Sequence, residues 1–551
     1  MKENSNKSGI IVQAGILAAA SMVVRIIGIL YRSPLTAIIG DEGNGYYGFA
    51  YNIYAIVLMV SSYSIPQAIS KLMAQKMAVG EYRNAQRVFH CTMVYSLIVG
   101  LLSSIFLYFG APLLVPPSTI PVLRMFAPTV FFFGILGVLR GFFQADQNMA
   151  PTSVSQILEQ IANALVSIGA AWLFMHYLAG PSSHEQAVFG AMGSALGTGS
   201  GVLAALVFMS FLYIRNQRWF RERIESDRTG RLTPWGPVLR DTILVITPFI
   251  LSGFILNLTT TVNQTIYTNI MIRAKHADEV AVSTAYGIFS NKAVVISNIP
   301  ISIATALATA VIPNISAAYA RFDMEETRRR VITAVRIVLV VALPCTAGLI
   351  VLARPVTMLL FPQWESLDLA SLLLALLAVT VVLYSVSTIT NAALQSIGRM
   401  SLPLVSAGFA LIIQTIVLVL LLNLTHMGIY SLVVVSILYS ALIFIMNQFF
   451  LIRYLDLKAD MIILFVKPFV STVIMGIVCR MVYSVCSSML MRTGRGLYFC
   501  NLLSLVPAIG AAVIVYFFIL IRIGTLSEED ILTFPKGQLF LNAFKKLKWI
   551  R

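Results

Sequence analysis

Apolar runs separated by short polar connections fill most of the chain. Fourteen are read, near 10–39, 47–70, 89–111, 121–142, 152–178, 187–214, 241–272, 284–315, 331–353, 367–394, 402–424, 427–452, 461–487 and 497–521. Each holds about 20 residues or more, enough for a helix to cross a hydrocarbon core of about 30 Å. The pattern therefore predicts an all-α polytopic membrane protein with 14 transmembrane helices. The polar stretch 215–240 carries seven arginines and splits the chain near its middle. On either side of it runs an internal echo. LRGFFQADQNMAP (139–151) is answered by TNAALQSIGRMSLP (390–403), which aligns Gln144 with Gln395 and Met149 with Met400. YNIYAIVLMVSSYSIP (51–66) is answered by YGIFSNKAVVISNIP (286–300), which sets Pro66 against Pro300. The organisation expected is an N-terminal six-helix lobe (1–225), a C-terminal six-helix lobe (226–455), two additional helices (456–523) and a basic cytoplasmic tail (524–551). Both halves start on the same side, so the lobes should be related by a pseudo-twofold axis along the membrane normal.

Composition supports this picture. Of 551 residues, 58% are hydrophobic and 11% charged, and the mean hydropathy is +0.85. That balance suits a polytopic protein and not a soluble domain with an anchor. The first apolar run is too long for a signal peptide, so no cleaved leader is expected. A net charge of +16 would suit a nucleic-acid partner, but its placement argues otherwise. With the N-terminus inside, 27 of the 39 lysines and arginines fall in inner segments and seven in outer ones. This asymmetry predicts both termini in the cytoplasm and excludes nucleic acid as the reason for the charge. The tail, ending FKKLKWIR, is expected on the anionic inner leaflet. The five cysteines show no metal spacing and read as packing residues, so neither metal nor disulfide is expected. HExxH, P-loop and Gly-x-Ser-x-Gly patterns are missing; the sequence predicts no enzyme and no cofactor.

Candidate chemistry lies in the charges deep within spans. Arg25, Lys292, Arg336, Lys467 and Arg480 are basic, and Glu159 is the single acid far inside a run. A buried arginine costs about 2.5–3.5 kcal/mol on insertion scales, least where it faces a wet cavity. Arg25 and Arg32, seven residues apart, share a helix face about 10 Å apart, with Gly28 between them. That face suits an anionic group, because guanidinium takes phosphate oxygens bidentately. Against this stand a carboxylate partner for Arg25 and snorkelling for Arg32. Lys292, on the span that answers the second, is either a cavity cation or an interhelical tether. Asn257, Asn263 and Gln264 are the neutral polar groups of the seventh span, and Asn263 and Gln264, with Gln144 and Gln395, could contact sugar or close a gate. Glu159 either neutralises a cation across the bundle or carries a coupling proton. Asp41 and Glu42, in the turn GDEGNG, end the first span and are candidate gate charges. Pro66 and Pro300 are candidate bending points. Arg336, Lys467 and Arg480 lie nearer span ends and read as snorkelling, and the histidines as interfacial.

Three phrases then carry a family resemblance. RIIGILYRSPLTAIIGDEGNGYY, IPQAISKL (65–72) and LRGFFQADQNMAPTSVSQILEQ (139–160) resemble the SpoVB and YtgP type of the MurJ-like branch of the MOP exporter superfamily. YGIFSNKAVVISNIPISIATALATAVIPNIS (286–316) resembles that branch's eighth helix. The resemblance implies a flippase for lipid-linked cell-wall precursors, lipid II above all, working by alternating access. It implies two six-helix lobes around a central cavity and two extra helices that form a groove for the lipid tail. The helix-1 arginine of such flippases falls on Arg25, and the second matches Arg32 in the SpoVB pattern. Their helix-8 basic residue lies about one turn from Lys292. A basic residue late in helix 2 and an acid at its start have no counterpart; Tyr46 and neutral residues stand there instead. Lipid II and another polyprenyl-diphosphate glycan thus both remain open as substrate. The partners implied are that lipid-linked precursor, the bilayer of the bacterial inner membrane and, as candidates, cell-wall synthases. The alternatives are a cation-coupled multidrug antiporter of the MATE type, which would want carboxylates in the first and seventh spans, and a non-transporting scaffold for wall synthases.

Overall fold

A computed structural model describes residues 20–524, apart from positions 64, 147, 228, 230–231, 457–460 and 493–495, together with residue 542. The basic tail and its expected place on the inner leaflet lie outside the described residues. Among the described residues all regular structure is helical. Twelve helices are long and apolar enough to cross a membrane. They answer twelve of the fourteen expected spans. Of the other two, 10–39 runs over residues outside the description, while 241–272 is helical over Trp235–Thr268 but is not among the twelve. The chain is an all-α polytopic membrane protein. Contacts divide it into two units, 1–287 and 288–551, so the stretch 226–287 packs with the first.

The first unit contains α1 (Ala20–Leu30), α2 (Arg32–Leu58), α3 (Ile65–Ala78), α4 (Tyr82–Leu114) and α5 (Ile120–Ala145). It continues with α6 (Ala150–Tyr177), α7 (Ser183–Glu225), α8 (Trp235–Thr268) and α9 (Glu279–Gly287). The GDEGNG turn spends one residue on its break. Gly40 takes φ +69° inside α2, a conformation open to glycine, and Asn44 Nδ2 donates to the Gly40 carbonyl oxygen at 2.8 Å. The helix resumes at once, because Gly43 and Gly45 let it pack closely. A Cβ on Gly45 would strike the Ser283 carbonyl oxygen, so α2 and α9 cross with their backbones in contact. Further on, α2 runs into a π-helical turn, Met59–Tyr63, and Pro66 follows as the second residue of α3. A proline there lacks only an amide that a first turn leaves unbonded in any case. The glycines of GAMGSALGTGSG (190–201) pack α7 tightly on α6: a Cβ on Gly193, Gly197 or Gly201 would strike the α6 backbone.

The outward faces are apolar. In α4, Leu101, Leu102, Phe106, Phe109 and Leu113 are exposed while Thr92 and Ser96 are buried. That inversion is what a lipid solvent selects, since tails solvate leucine as well as a neighbouring helix does. On the polar connection 226–234, Asp227 accepts from Thr229 Oγ1 at 2.6 Å and from the amides of Arg83 and Thr229 at 2.9 Å. These bonds, the Thr229 hydroxyl first, hold its carboxyl below the usual carboxylate range. Arg87 covers the Trp235 ring at 5.2 Å, and Asn84 Oδ1 accepts from the Thr233 amide at 3.0 Å.

The second unit begins with a π-helical turn, Ile288–Ala293, and continues through α10 (Val294–Ala320), α11 (Met324–Val351) and the short α12 (Ala353–Leu360). It then holds α13 (Leu367–Ser396), α14 (Ser401–Leu424), α15 (Tyr430–Leu455), α16 (Met461–Met491) and α17 (Leu497–Arg522). Asp323 caps α11 by accepting from the Glu326 amide at 2.9 Å. Buried Asn447 of α15 joins three helices: it donates to Asn391 Oδ1 at 2.8 Å and Thr390 Oγ1 at 3.1 Å of α13, and accepts from Ser406 Oγ of α14 at 3.0 Å.

Candidate functional site

In the first unit Arg25 sits on exposed helix surface among Met22, Val23 and Ile26. It makes no ion pair with a described residue. Arg32, the first residue of α2, is half-buried. Between them, Gly28 packs toward α6: a Cβ there would lie 3.3 Å from Gln160 Nε2. The helical hydrogen bonds run on through Tyr31, whose amide donates to the Ile27 carbonyl oxygen and whose carbonyl accepts from the Leu35 amide, both at 3.1 Å, so the two arginines lie on one continuous ladder.

Glu159 of α6 is engaged. Its Oε2 lies 2.7 Å from Arg140 Nη2, and Arg140 Nε donates to Ser155 Oγ at 2.9 Å. The Arg140 side chain is 7% exposed and that of Glu159 26%. Read along the sequence, Arg140 belongs to a short inner connection; in the structure it is one turn inside α5 and buried, and it is the cation that Glu159 neutralises.

Gln264 of α8 is buried and clasps α2 and α9. Asn52 Nδ2 donates to Gln264 Oε1 at 2.5 Å and to Tyr286 Oη at 2.8 Å, and Tyr286 Oη donates to Gln264 Oε1 at 3.2 Å. Gln264 Nε2 in turn donates to the Phe49 carbonyl oxygen at 3.0 Å. Its neighbour Asn263 is also buried. Gln144 is half-buried at the end of α5, within 3.4 Å of Thr152 Oγ1. Asp41 is half-buried, and Glu42 meets Tyr46 and His184.

In the second unit Lys292 is 1% exposed on the π-helical turn and donates to Ser366 Oγ at 2.6 Å. Gln395 is exposed near the end of α13. Pro300 is buried inside α10, past the π turn. Both echoed segments thus carry a π turn, Met59–Tyr63 and Ile288–Ala293, just before or well before their proline. Such turns interrupt the regular ladder and recur at functional positions. A cavity of about 540 Å³ opens between α11 and α16, walled by Leu343, Ile350, Phe469, Val473 and Ile477, with Arg480 at its edge.

Sequence reading missed Arg140, Asn52, Tyr286 and His184. Each acts through a partner on another helix, and no local spacing announces such a pair. Among the described residues no group of three or more His, Cys, Asp or Glu side chains could hold a metal ion.

Comparison with known proteins adds to this geometry. The family described as Polysaccharide biosynthesis protein matches residues 11–319, and the family MatE matches residues 248–420. The chain is 25% identical over 435 residues to the Lipid II flippase MurJ of Bacillus subtilis (strain 168), covering 74% of this chain and 76% of that one. It is 28% identical over 331 residues to Stage V sporulation protein B of the same organism, covering 59% and 61%. The solved structure described as "Lipid II flippase MurJ, inward closed conformation" matches with a TM-score of 0.64 at 14% identity, over 91% of this chain and 97% of that one. At that identity the likeness is one of fold.

Proposed function

Because the chain belongs to the polysaccharide biosynthesis protein family of the MOP exporter superfamily, we propose that it moves a polyprenyl-diphosphate-linked saccharide across the bacterial cytoplasmic membrane by alternating access. Lipid II is the first candidate substrate. One observation carries the reading: the single acid deep in a span is tied to Arg140, while Arg25 stays exposed and makes no ion pair with a described residue. An anionic headgroup needs that sign of charge. On the first unit Arg25 takes the diphosphate and Arg32 lies toward its exit. Gln264 works through its clasp on Asn52 as a gate, and Lys292 is the basic candidate on the second unit. The cavity between α11 and α16 accommodates part of the lipid tail, because its walls are apolar. With both termini in the cytoplasm, transport is outward. The membrane potential, worth about 2.3 kcal/mol per charge per 100 mV, can drive it.

Depletion of the protein in its host, followed by analysis of lipid-linked precursors by leaflet, tests this. A polyprenyl-diphosphate saccharide should accumulate on the inner leaflet; an unchanged distribution would rule the function out. The match of residues 248–420 to MatE favours a second reading, a cation-coupled drug antiporter. Overexpression that raises drug resistance with precursor distribution unaltered would select it.

A further inference from the structure

At the end of the first unit that carries the Gly40 break, three elements meet at one histidine and a fourth, α9, is reached through Ser118. His184, second residue of α7, has Nδ1 2.7 Å from Glu42 Oε1 and Nε2 3.4 Å from Ser118 Oγ. Tyr46 donates to the same Glu42 oxygen at 2.9 Å. Its hydroxyl lies 3.3 Å from His184 Nδ1, and its ring stands edge-on to the imidazole at 5.8 Å. The Ser118 amide donates to Glu279 Oε1 at 3.2 Å. One chain of polar contacts therefore ties α2, the turn Pro117–Thr119, α7 and α9. The backbone contact between Gly45 and Ser283 leaves α2 and α9 no slack beside it.

Glu42 is the acid against this histidine, Glu279 lies on the Ser118 amide, and Arg273 lines a cavity with Pro116 and Pro117 beside that turn. Asp41 and Glu42 come from α2, Glu185 from α7, and Asp278 and Glu279 from α9; the Pro117–Thr119 turn brings no charged group. The Glu42 side chain is 19% exposed and that of His184 44%, so a proton reaches the imidazole directly from solvent. A neutral imidazole with its proton on Nδ1 donates to Glu42 and accepts from the Ser118 hydroxyl at Nε2. A protonated one donates to both, and its bond to Glu42 becomes charge-assisted, about twice the strength of a neutral one.

We propose that the Glu42–His184 pair is a proton-binding site, and that a proton bound there clamps α2, α7 and α9 together and closes this end of the first unit. The ligand is the proton itself. The proposal rests on the transport reading in one respect: the orientation given there makes this the outer end, facing the acidic side of an energised membrane.

Hydrogen exchange by mass spectrometry on the full chain in nanodiscs tests it, with rates corrected for intrinsic pH dependence. Segments 40–48, 116–120, 183–188 and 279–287 should gain roughly tenfold protection between pH 8 and pH 5.5, the size expected when one neutral hydrogen bond becomes charge-assisted. The α16–α17 hairpin should not change. His184→Gln should abolish the gain, and Glu42→Gln should do so independently should the first variant fail to fold. A wild-type chain whose four segments exchange alike at both pH values would overturn the proposal, as would a gain that survives both substitutions. No substrate is present, so this outcome is separable from any failure of the transport assignment.

Discussion

Arg25 and Arg140 lie in apolar helices of the same unit, yet their surroundings differ completely. Arg140 is closed from solvent, with Glu159 and Ser155 on its guanidinium. Arg25 stands on an exposed face among Met22, Val23 and Ile26, with no ion pair among the described residues. A cation with a built partner is part of the scaffold. One held in a span without a partner, at an insertion cost of about 2.5–3.5 kcal/mol, calls for a partner from outside the chain. The contrast separates stability from function along one stretch of sequence, and it can be broken at either arginine.

The largest effect is expected at the scaffold pair. Glu159→Ala leaves Arg140 buried and uncompensated, which should destabilise the protein by about 3–5 kcal/mol. The thermal unfolding midpoint in detergent reads this, and the double change Arg140→Met with Glu159→Met should restore most of it. A normal midpoint with transport lost would make Glu159 a coupling residue and dissolve the contrast. Arg25→Ala should do the reverse: the midpoint holds, while binding of a diphosphate-headgroup lipid weakens roughly 10- to 100-fold, from loss of a charged hydrogen bond of about 1.5–3 kcal/mol. Native mass spectrometry with the lipid gives the ratio, and Arg25→Lys should recover part of it because lysine keeps the charge without the fork.

Smaller is Gln264→Ala, which strips Asn52 and the Phe49 carbonyl of their partner and should cost about 1–3 kcal/mol. The same unfolding assay measures it. Smallest is Asp227→Asn on the polar connection. The folded carboxyl titrates below its unfolded value of about 3.9, so its stabilising contribution is present above that pH and fades as pH falls through the folded value. The wild type should lose stability on acidification below about pH 4 by a slightly larger margin than the variant; identical acid profiles would remove Asp227 from the account.

The spans were legible because a bilayer demands some twenty apolar residues in a row, and that pattern needs no partner to read. Arg25 was legible for the same reason: a charge in such a run stands out. Arg140 was not, because it lies at the end of its run and its acid is on the next helix, 19 residues on. His184 was hidden more deeply, since Glu42 is 142 residues away in sequence. The GDEGNG segment read as a reversing turn of several residues; the structure confines the break to Gly40, because one glycine at positive φ suffices. The π turns left no trace in hydropathy, which averages over the register they disturb.

Purified protein in sealed vesicles, given a polyprenyl-diphosphate saccharide in both leaflets and a membrane-impermeant reagent that modifies the headgroup outside, tests the central claim most directly. The account predicts that the protein makes the inner-leaflet half reactive and that Arg25→Ala vesicles keep it protected. Protection equal in protein-containing and protein-free vesicles, with a cationic dye exported instead, would contradict it.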